Sequence, residues 1–320
     1  MFAIETEDLT KDYAIGFWRK RPRRALDRLT LGVGQGEIFG FLGPNGAGKT
    51  TTLKLLMQLI YPTSGRASIL GLPIGSLALK RRIGYLPENP YFYDCLTAEE
   101  LLVYFAGLFG YDGVERRARA SRLLDQVGIG AERRLALRKY SKGMLQRVGL
   151  AQAILNEPDV VFLDEPMSGL DPLGRRDVRA LIGELRKRGC TVFFSSHILA
   201  DAETLCDRVA VLVRGRMVAE GRVAELVAFD IKGWEMIVAD AAAALLARFA
   251  GDGAKVTEIA YGRHALEIPG STAPDQLLAE LTAGGGTLVS LNPIRETLED
   301  FFMKQVGAAT LDSSPPATGD

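Results

Sequence analysis

The stretch Gly43–Thr51, GPNGAGKTT, decides how the chain reads. It satisfies G-x-x-x-x-G-K-[ST], with Gly43, Gly48, Lys49 and Thr50 in the fixed places and Pro44, Asn45, Gly46 and Ala47 between them. Upstream, EIFGFLG (Glu37–Gly43) reads as a short buried strand. Downstream, TTLKLLMQLI (Thr51–Ile60) reads as a helix. In that context the glycines let backbone N–H groups turn inward around a β-phosphate, helped by the positive end of the helix. Lys49 is then expected to reach the β- and γ-phosphates, Thr50 to hold magnesium, and Thr51 to bond the α-phosphate. The stretch implies a nucleoside triphosphate site.

Working outward, 320 residues suggest one large domain and one small one. With 39 basic against 39 acidic side chains, no global basic field calls for a nucleic-acid partner, and none is expected. The three cysteines, Cys95, Cys190 and Cys206, are widely spaced and read as reduced thiols of a cytosolic protein. MFAIETEDLT has neither the basic start nor the apolar run of a signal peptide. No run approaches the roughly 18 apolar residues of a spanning helix.

Strands are expected over Ile4–Leu9 and Ala25–Gly34. Between them, Tyr13 reads either as a stacking partner for adenine or as half-buried packing. The run FWRKRPRRA, with Arg19, Lys20, Arg21, Arg23 and Arg24, reads as a solvated loop, or as a contact for lipid headgroups or an acidic partner. Further on come a strand Ile83–Leu86 and a helix capped by Thr97 and Glu100, whose Tyr104, Phe105 and Phe109 are expected in the core. Tyr91, Phe92 and Tyr93 sit in a loop that suggests docking. A helix Val114–Val127 precedes one opened by Ser141 and Gly143 and running to Asn156. The apolar strand Asp159–Leu163 ends on Asp164 and Glu165. SGLDP (Ser168–Pro172) is a turn, Arg175–Arg188 a helix, TVFFSSH (Thr191–His197) a buried strand, and Val209–Gly221 a hairpin after a helix Leu199–Cys206. From about Asp230 an order of βαββαβ plus a trailing helix suggests a ferredoxin-like unit, and LDSSPPATGD reads as a disordered tail.

Position suggests roles: Asp164 at a strand end suits a metal-holding carboxylate, and Glu165 beside it suits polarising a water. His197, taken alone, reads as a histidine capping a strand. Yet GPNGAGKTT, YSKGM, VVFLDE, SGLD and His197 follow one another in the order of a known family. Over residues 4 to about 225 the chain resembles the nucleotide-binding subunit of ATP-binding cassette (ABC) transporters. It departs in having YSKGM for the usual LSGGQ, with Lys142 and Met144 at variable places, and Glu88 in YLPEN where a glutamine is usual. Both variants resemble export-type subunits that pair with separate membrane proteins.

That resemblance implies an α/β phosphate-loop ATPase domain over residues 1–228, a mixed sheet core plus a helical subdomain. An α+β ferredoxin-like accessory domain over 229–307 and a tail over 308–320 follow. ATP and Mg²⁺ are implied as ligands, the ion held by Thr50, Asp164 and Glu88. Tyr13 falls at the adenine-stacking place. Lys49, Glu165 as general base and His197 as γ-phosphate sensor carry the catalysis. Two copies would sandwich two ATP molecules, Ser141 and Gly143 of one meeting the γ-phosphate held by the other, with Asp171 linking the sites. The implied setting is the cytoplasmic face of a membrane, driving a polytopic permease. A soluble ABC ATPase working on DNA or ribosomes is the rival, but it would bring a long coiled coil or a second cassette; an importer is the third reading.

Overall fold

The computed structural model describes residues 1–16, 21–226, 231–260, 262–272, 274–295 and 297–311, at 231, 306 and 308–311 for the backbone alone. The chain divides into two compact units, Met1–Val223 with Gln305–Asp320, and Ala224–Lys304. The expected boundary at 228/229 lies within residues 227–230, outside the described residues.

In chain order the first unit carries β1 (Phe2–Ile15), β2 (Arg21–Gly34), β3 (Ile38–Leu42), α1 (Lys49–Leu56), β4 (Ser64–Ile69), β5 (Leu72–Pro73), α2 (Leu77–Lys80) and β6 (Ile83–Leu86). There follow α3 (Ala98–Leu108), α4 (Gly113–Gln126), α5 (Lys142–Ala153), β7 (Val160–Asp164), α6 (Pro172–Lys187), β8 (Thr191–Ser196), α7 (Leu199–Leu205), β9 (Arg208–Val213) and β10 (Arg216–Arg222). β2, β1, β4 and β5 form an antiparallel sheet. The other sheet, ordered β10-β9-β3-β8-β7-β6, is parallel except for β10.

Every residue of β3, β7 and β8 is buried, the pattern of parallel strands covered on both faces. Phe193 of β8 lies at their centre. Its ring stacks on Phe39 of β3 at 5.6 Å and meets Phe41 at 5.3 Å and Phe162 of β7 at 5.8 Å. The register sets Leu42 opposite Ser196, Asp164 opposite Ser195 and Leu86 opposite Leu163, so four strands end level. That edge carries the site.

Several elements differ from expectation. α1 begins at Lys49 and ends at Leu56, short of Ile60, because Gln58 takes a left-handed φ of 53° that no helix continues. Arg21, Arg23 and Arg24 are not in a loop: they lie on β2, which pairs with β1 well beyond Leu9, as far as Ile15 opposite Arg21. Arg19 and Lys20 fall outside the described residues. On α3 the buried face is Ala98, Leu101, Leu102 and Ala106, so Tyr104 is exposed and Phe105 and Phe109 half-buried, rather than core. The helical period turns them away. The Thr97–Glu100 capping box forms as read.

Beyond α8 (Val223–Leu226), the second unit has β11 (Ile231–Ala239), α9 (Ala243–Gly251), β12 (Lys255–Ala260), β13 (Arg263–Pro269), α10 (Pro274–Ala283) and β14 (Thr287–Arg295). Its antiparallel order is β12-β13-β11-β14 over its own core, including Met236, Phe249, Leu266 and Leu281. The βαββαβ sequence of elements is therefore present. α11 (Leu298–Leu311) makes 308–311 helical, where a disordered tail was expected; residues 312–320 lie outside the described residues.

Phe193→Ala opens a cavity between three strands. It should cost about 3–5 kcal/mol, read as a lower urea midpoint for the transition of the first unit, with the second unit's transition unmoved.

Candidate active site

Two contacts press the loop between β3 and α1 into place. A Cβ on Gly43 would lie 2.3 Å from the carbonyl oxygen of Leu212 on β9. Gly48, the N-cap of α1, has a φ of 111°, and its Cβ would lie 2.5 Å from the carbonyl of Ala25 on β2. Both positions exclude a side chain. The first turn of α1 carries no acidic residue, so its positive end is uncompensated. Buried Lys49 donates from Nζ to the carbonyl of Gly43 at 2.6 Å and lies 3.3 Å from Oε1 of Glu165.

Glu165 follows β7 with a left-handed φ of 49°, which turns its carboxylate off the strand toward α1. Its second oxygen accepts from Nδ1–H of His197 at 2.8 Å. Lys49, Glu165 and His197 thus form one contiguous row. Asp164 is held differently. The Ser195 hydroxyl donates to its Oδ1 at 2.6 Å, while Oδ2 is buried without a hydrogen-bond partner among the described residues. Burial pushes the Asp164 carboxyl above the usual carboxylate range. The Ser195 hydrogen bond, the nearby Thr50 hydroxyl and the Lys49 charge oppose this, and the Glu88 charge adds to it.

Pro44, Asn45, Gly46, Ala47, Gly48, Lys49, Thr50 and Thr51 line a cleft of about 620 Å³ with Tyr13, Glu88, Glu165 and His197. That volume takes a nucleotide. Tyr13 lines the cleft from β1, 36% exposed, with the Lys11 ammonium 5.3 Å from its ring centre. Ser141, Gly143 and Asp171 are not brought here. They line a second cleft of about 570 Å³ with Lys142, Met144 and Gly169. There Ser141 caps α5 by accepting from the N–H of Met144, and Asp171 caps α6 by accepting from the N–H of Gly174.

The family model described as ABC transporter matches residues 26–168. An uncharacterised ABC transporter ATP-binding protein of Synechocystis sp. is 45% identical, over 95% of this chain and 84% of its own. The bacitracin transport ATP-binding protein BcrA of Enterococcus faecalis is 34% identical, over 96% of this chain and 97% of its own. The chain belongs to the ABC transporter family. It is an ATP-binding subunit, and an ATPase. Among solved structures, a dimeric post-hydrolysis ATP-binding cassette bound to ADP and Pi superimposes with a TM-score of 0.64 at 26% identity, covering 69% of this chain and 98% of that one.

Two residues of the ABC subunit's site escaped the sequence reading. Ser195, besides holding the Asp164 carboxylate, accepts from the backbone N–H of Glu165 at 3.1 Å, so one hydroxyl on the neighbouring strand ties down the end of β7 where both carboxylates arise. Buried Gln146 of α5 donates to the carbonyls of Glu165 at 3.4 Å and Pro166 at 3.2 Å, tying the YSKGM helix to the end of β7. Nothing in Ser195's own segment distinguishes it; only the polar tip of an apolar strand hints at it. Gln146 could be found as a polar residue on the buried face of α5. Ser195→Ala strips a buried carboxylate of its donor, which should cost about 1–3 kcal/mol of stability. Thermal unfolding without nucleotide measures the loss, and Ser195→Thr, which keeps the hydroxyl, should recover part of it.

Proposed function

We propose that this ABC subunit hydrolyses ATP in the Tyr13–His197 cleft and drives export through a separate membrane permease, working as a pair of copies. One observation carries the site: Lys49 and His197 converge on the two oxygens of Glu165 beside the phosphate loop. Lys49 is engaged by the carbonyl of Gly43 and by Glu165. Arriving phosphates compete for its ammonium, and its transfer to them frees Oε1 of Glu165 for a water. His197 keeps the other oxygen fixed. The water oxygen then bonds to the γ-phosphorus as the bond to the β–γ bridging oxygen breaks, giving ADP and phosphate, and the water's proton passes to Glu165.

Magnesium fits the residues present. Asp164 offers a buried oxygen without a donor among the described residues, Thr50 lies in the first turn of α1 close enough to act on that carboxyl, and Glu88 faces the same cleft. Such an ion takes one or two carboxylates and leaves its other positions to water and phosphate oxygens. Bound, it would neutralise charge on the β- and γ-phosphates.

The second cleft supports pairing, because Ser141, Gly143 and the uncompensated first turn of α5 suit a γ-phosphate that this copy's own phosphate loop does not bring to them. Asp171, spent on capping α6, would hold the linking turn in shape. Export is favoured by the bacitracin transport relative and by the YSKGM and Glu88 variants. No helix among the described residues is long and apolar enough to cross a membrane, so a permease would supply the path and place this subunit on the cytoplasmic face. Exposed Tyr91 and Tyr93, just after Glu88, are the surface through which closure would be passed on.

Glu165→Gln keeps the shape but loses the base, and should slow phosphate release on the order of 10²–10⁴-fold. The variant should run as a dimer with magnesium and ATP and as a monomer without, by size exclusion with light scattering; turnover at the parent rate would remove Glu165 from the mechanism. Lys49→Ala should abolish binding of a fluorescent ATP analogue.

A further inference from the structure

We propose that Arg23 is a nucleotide-binding residue whose guanidinium pairs with the phosphate charge of the bound nucleotide at the Tyr13 end of the cleft. This rests on a nucleotide filling that cleft. The register of β1 and β2 places Tyr13 directly opposite Arg23. Opposite residues of an antiparallel pair share a face, their Cβ atoms roughly 4.5–5.5 Å apart. Both line the cleft.

The other cations there are already committed. Arg24 donates to both oxygens of Asp12, at 2.9 and 3.1 Å, and to Asp27 at 2.8 Å. Asp27 also accepts from Arg216 at 2.8 Å, so Arg24 is a strut of the β1–β2 ladder. These carboxylates hold the Arg24 guanidinium well above its ordinary pKa, and it holds Asp12 below the usual carboxylate range. Lys49 is tied to Gly43 and Glu165, and Arg214 is engaged as well. Among these cations the Arg23 side chain alone makes no hydrogen bond or ion pair among the described residues. Two adjacent arginines thus divide the work, one bracing the strands and one free to meet an anion. Beside a ring that takes the base, a planar cation with fork-like donors suits phosphate oxygens.

Calorimetric titration of the full chain with magnesium and ADP tests this, comparing the parent with Arg23→Ala, Arg23→Lys and Lys49→Ala at low and high salt. Arg23→Ala should weaken binding about fivefold at low salt, the scale of one exposed charged contact. The gap should shrink at high salt, Arg23→Lys, which keeps the charge but not the fork, should regain part of the affinity, and melting without nucleotide should not move. The proposal is overturned if Lys49→Ala loses binding while Arg23→Ala binds as the parent does. A loss that salt leaves unchanged and lysine does not rescue also overturns it, since Arg23 would then support the base or the strand. Should Lys49→Ala itself bind like the parent, the phosphate-loop reading fails and Arg23 falls with it.

Discussion

The site depends on the parallel pairing of β3, β8 and β7 around Phe193. Parallel strands buried on both faces have no water to complete their ladders, so their register is held by side chains packed between neighbours. Phe39, Phe41 and Phe162 meet Phe193 from either side. With register held, the strand ends are level, and the phosphate loop, Asp164, Glu165, Ser195 and His197 emerge along one edge. Ligands of open α/β sheets lie outside such carboxyl ends.

What stands on that edge is poorly satisfied by the protein's own groups. Lys49 and Glu165 are both buried and held 3.3 Å apart, a pairing whose attraction must offset the desolvation of two charges. Asp164 has an oxygen without a partner among the described residues and a carboxyl pushed toward protonation by burial. Glu165 occupies a backbone region that non-glycine residues rarely enter. Strain and unpaired charge gather at one place, and a polyanion with its cation would relieve them together. The departures at Glu88 and Lys142 act on the same balance: one adds negative charge near Asp164, and the other puts a positive charge at the first turn of α5, where the helix end is already positive.

Much of this was legible in the residues. GPNGAGKTT needs its glycines for reasons local to the loop, and the apolar runs of β3, β7 and β8 announce buried parallel strands without reference to anything distant. The order of motifs named the family. The βαββαβ run of the second unit was likewise readable, because each element carries its own period. Errors came where a long-range contact overrode local preference. The basic run has the composition of a loop, yet β2 pairs with β1 as far as Arg21 opposite Ile15, whereas α1 stops at Leu56 for a local reason, the left-handed φ of Gln58. The aromatics of α3 looked like core until the helix chose which face to bury.

By itself, then, the sequence determined the phosphate-binding chemistry, the α/β class and the family, since these rest on residue type and spacing along the chain. Only the tertiary structure decided that Ser195 holds the Asp164 carboxylate and the backbone of Glu165, that Gln146 ties α5 to Glu165, and that Arg24 is spent on Asp12 and Asp27 while Arg23 is not. The physical reason is the same each time. A hydrogen bond or ion pair between residues far apart in the chain depends on strand order and register, and those are set by the packing of the whole sheet rather than by any one segment.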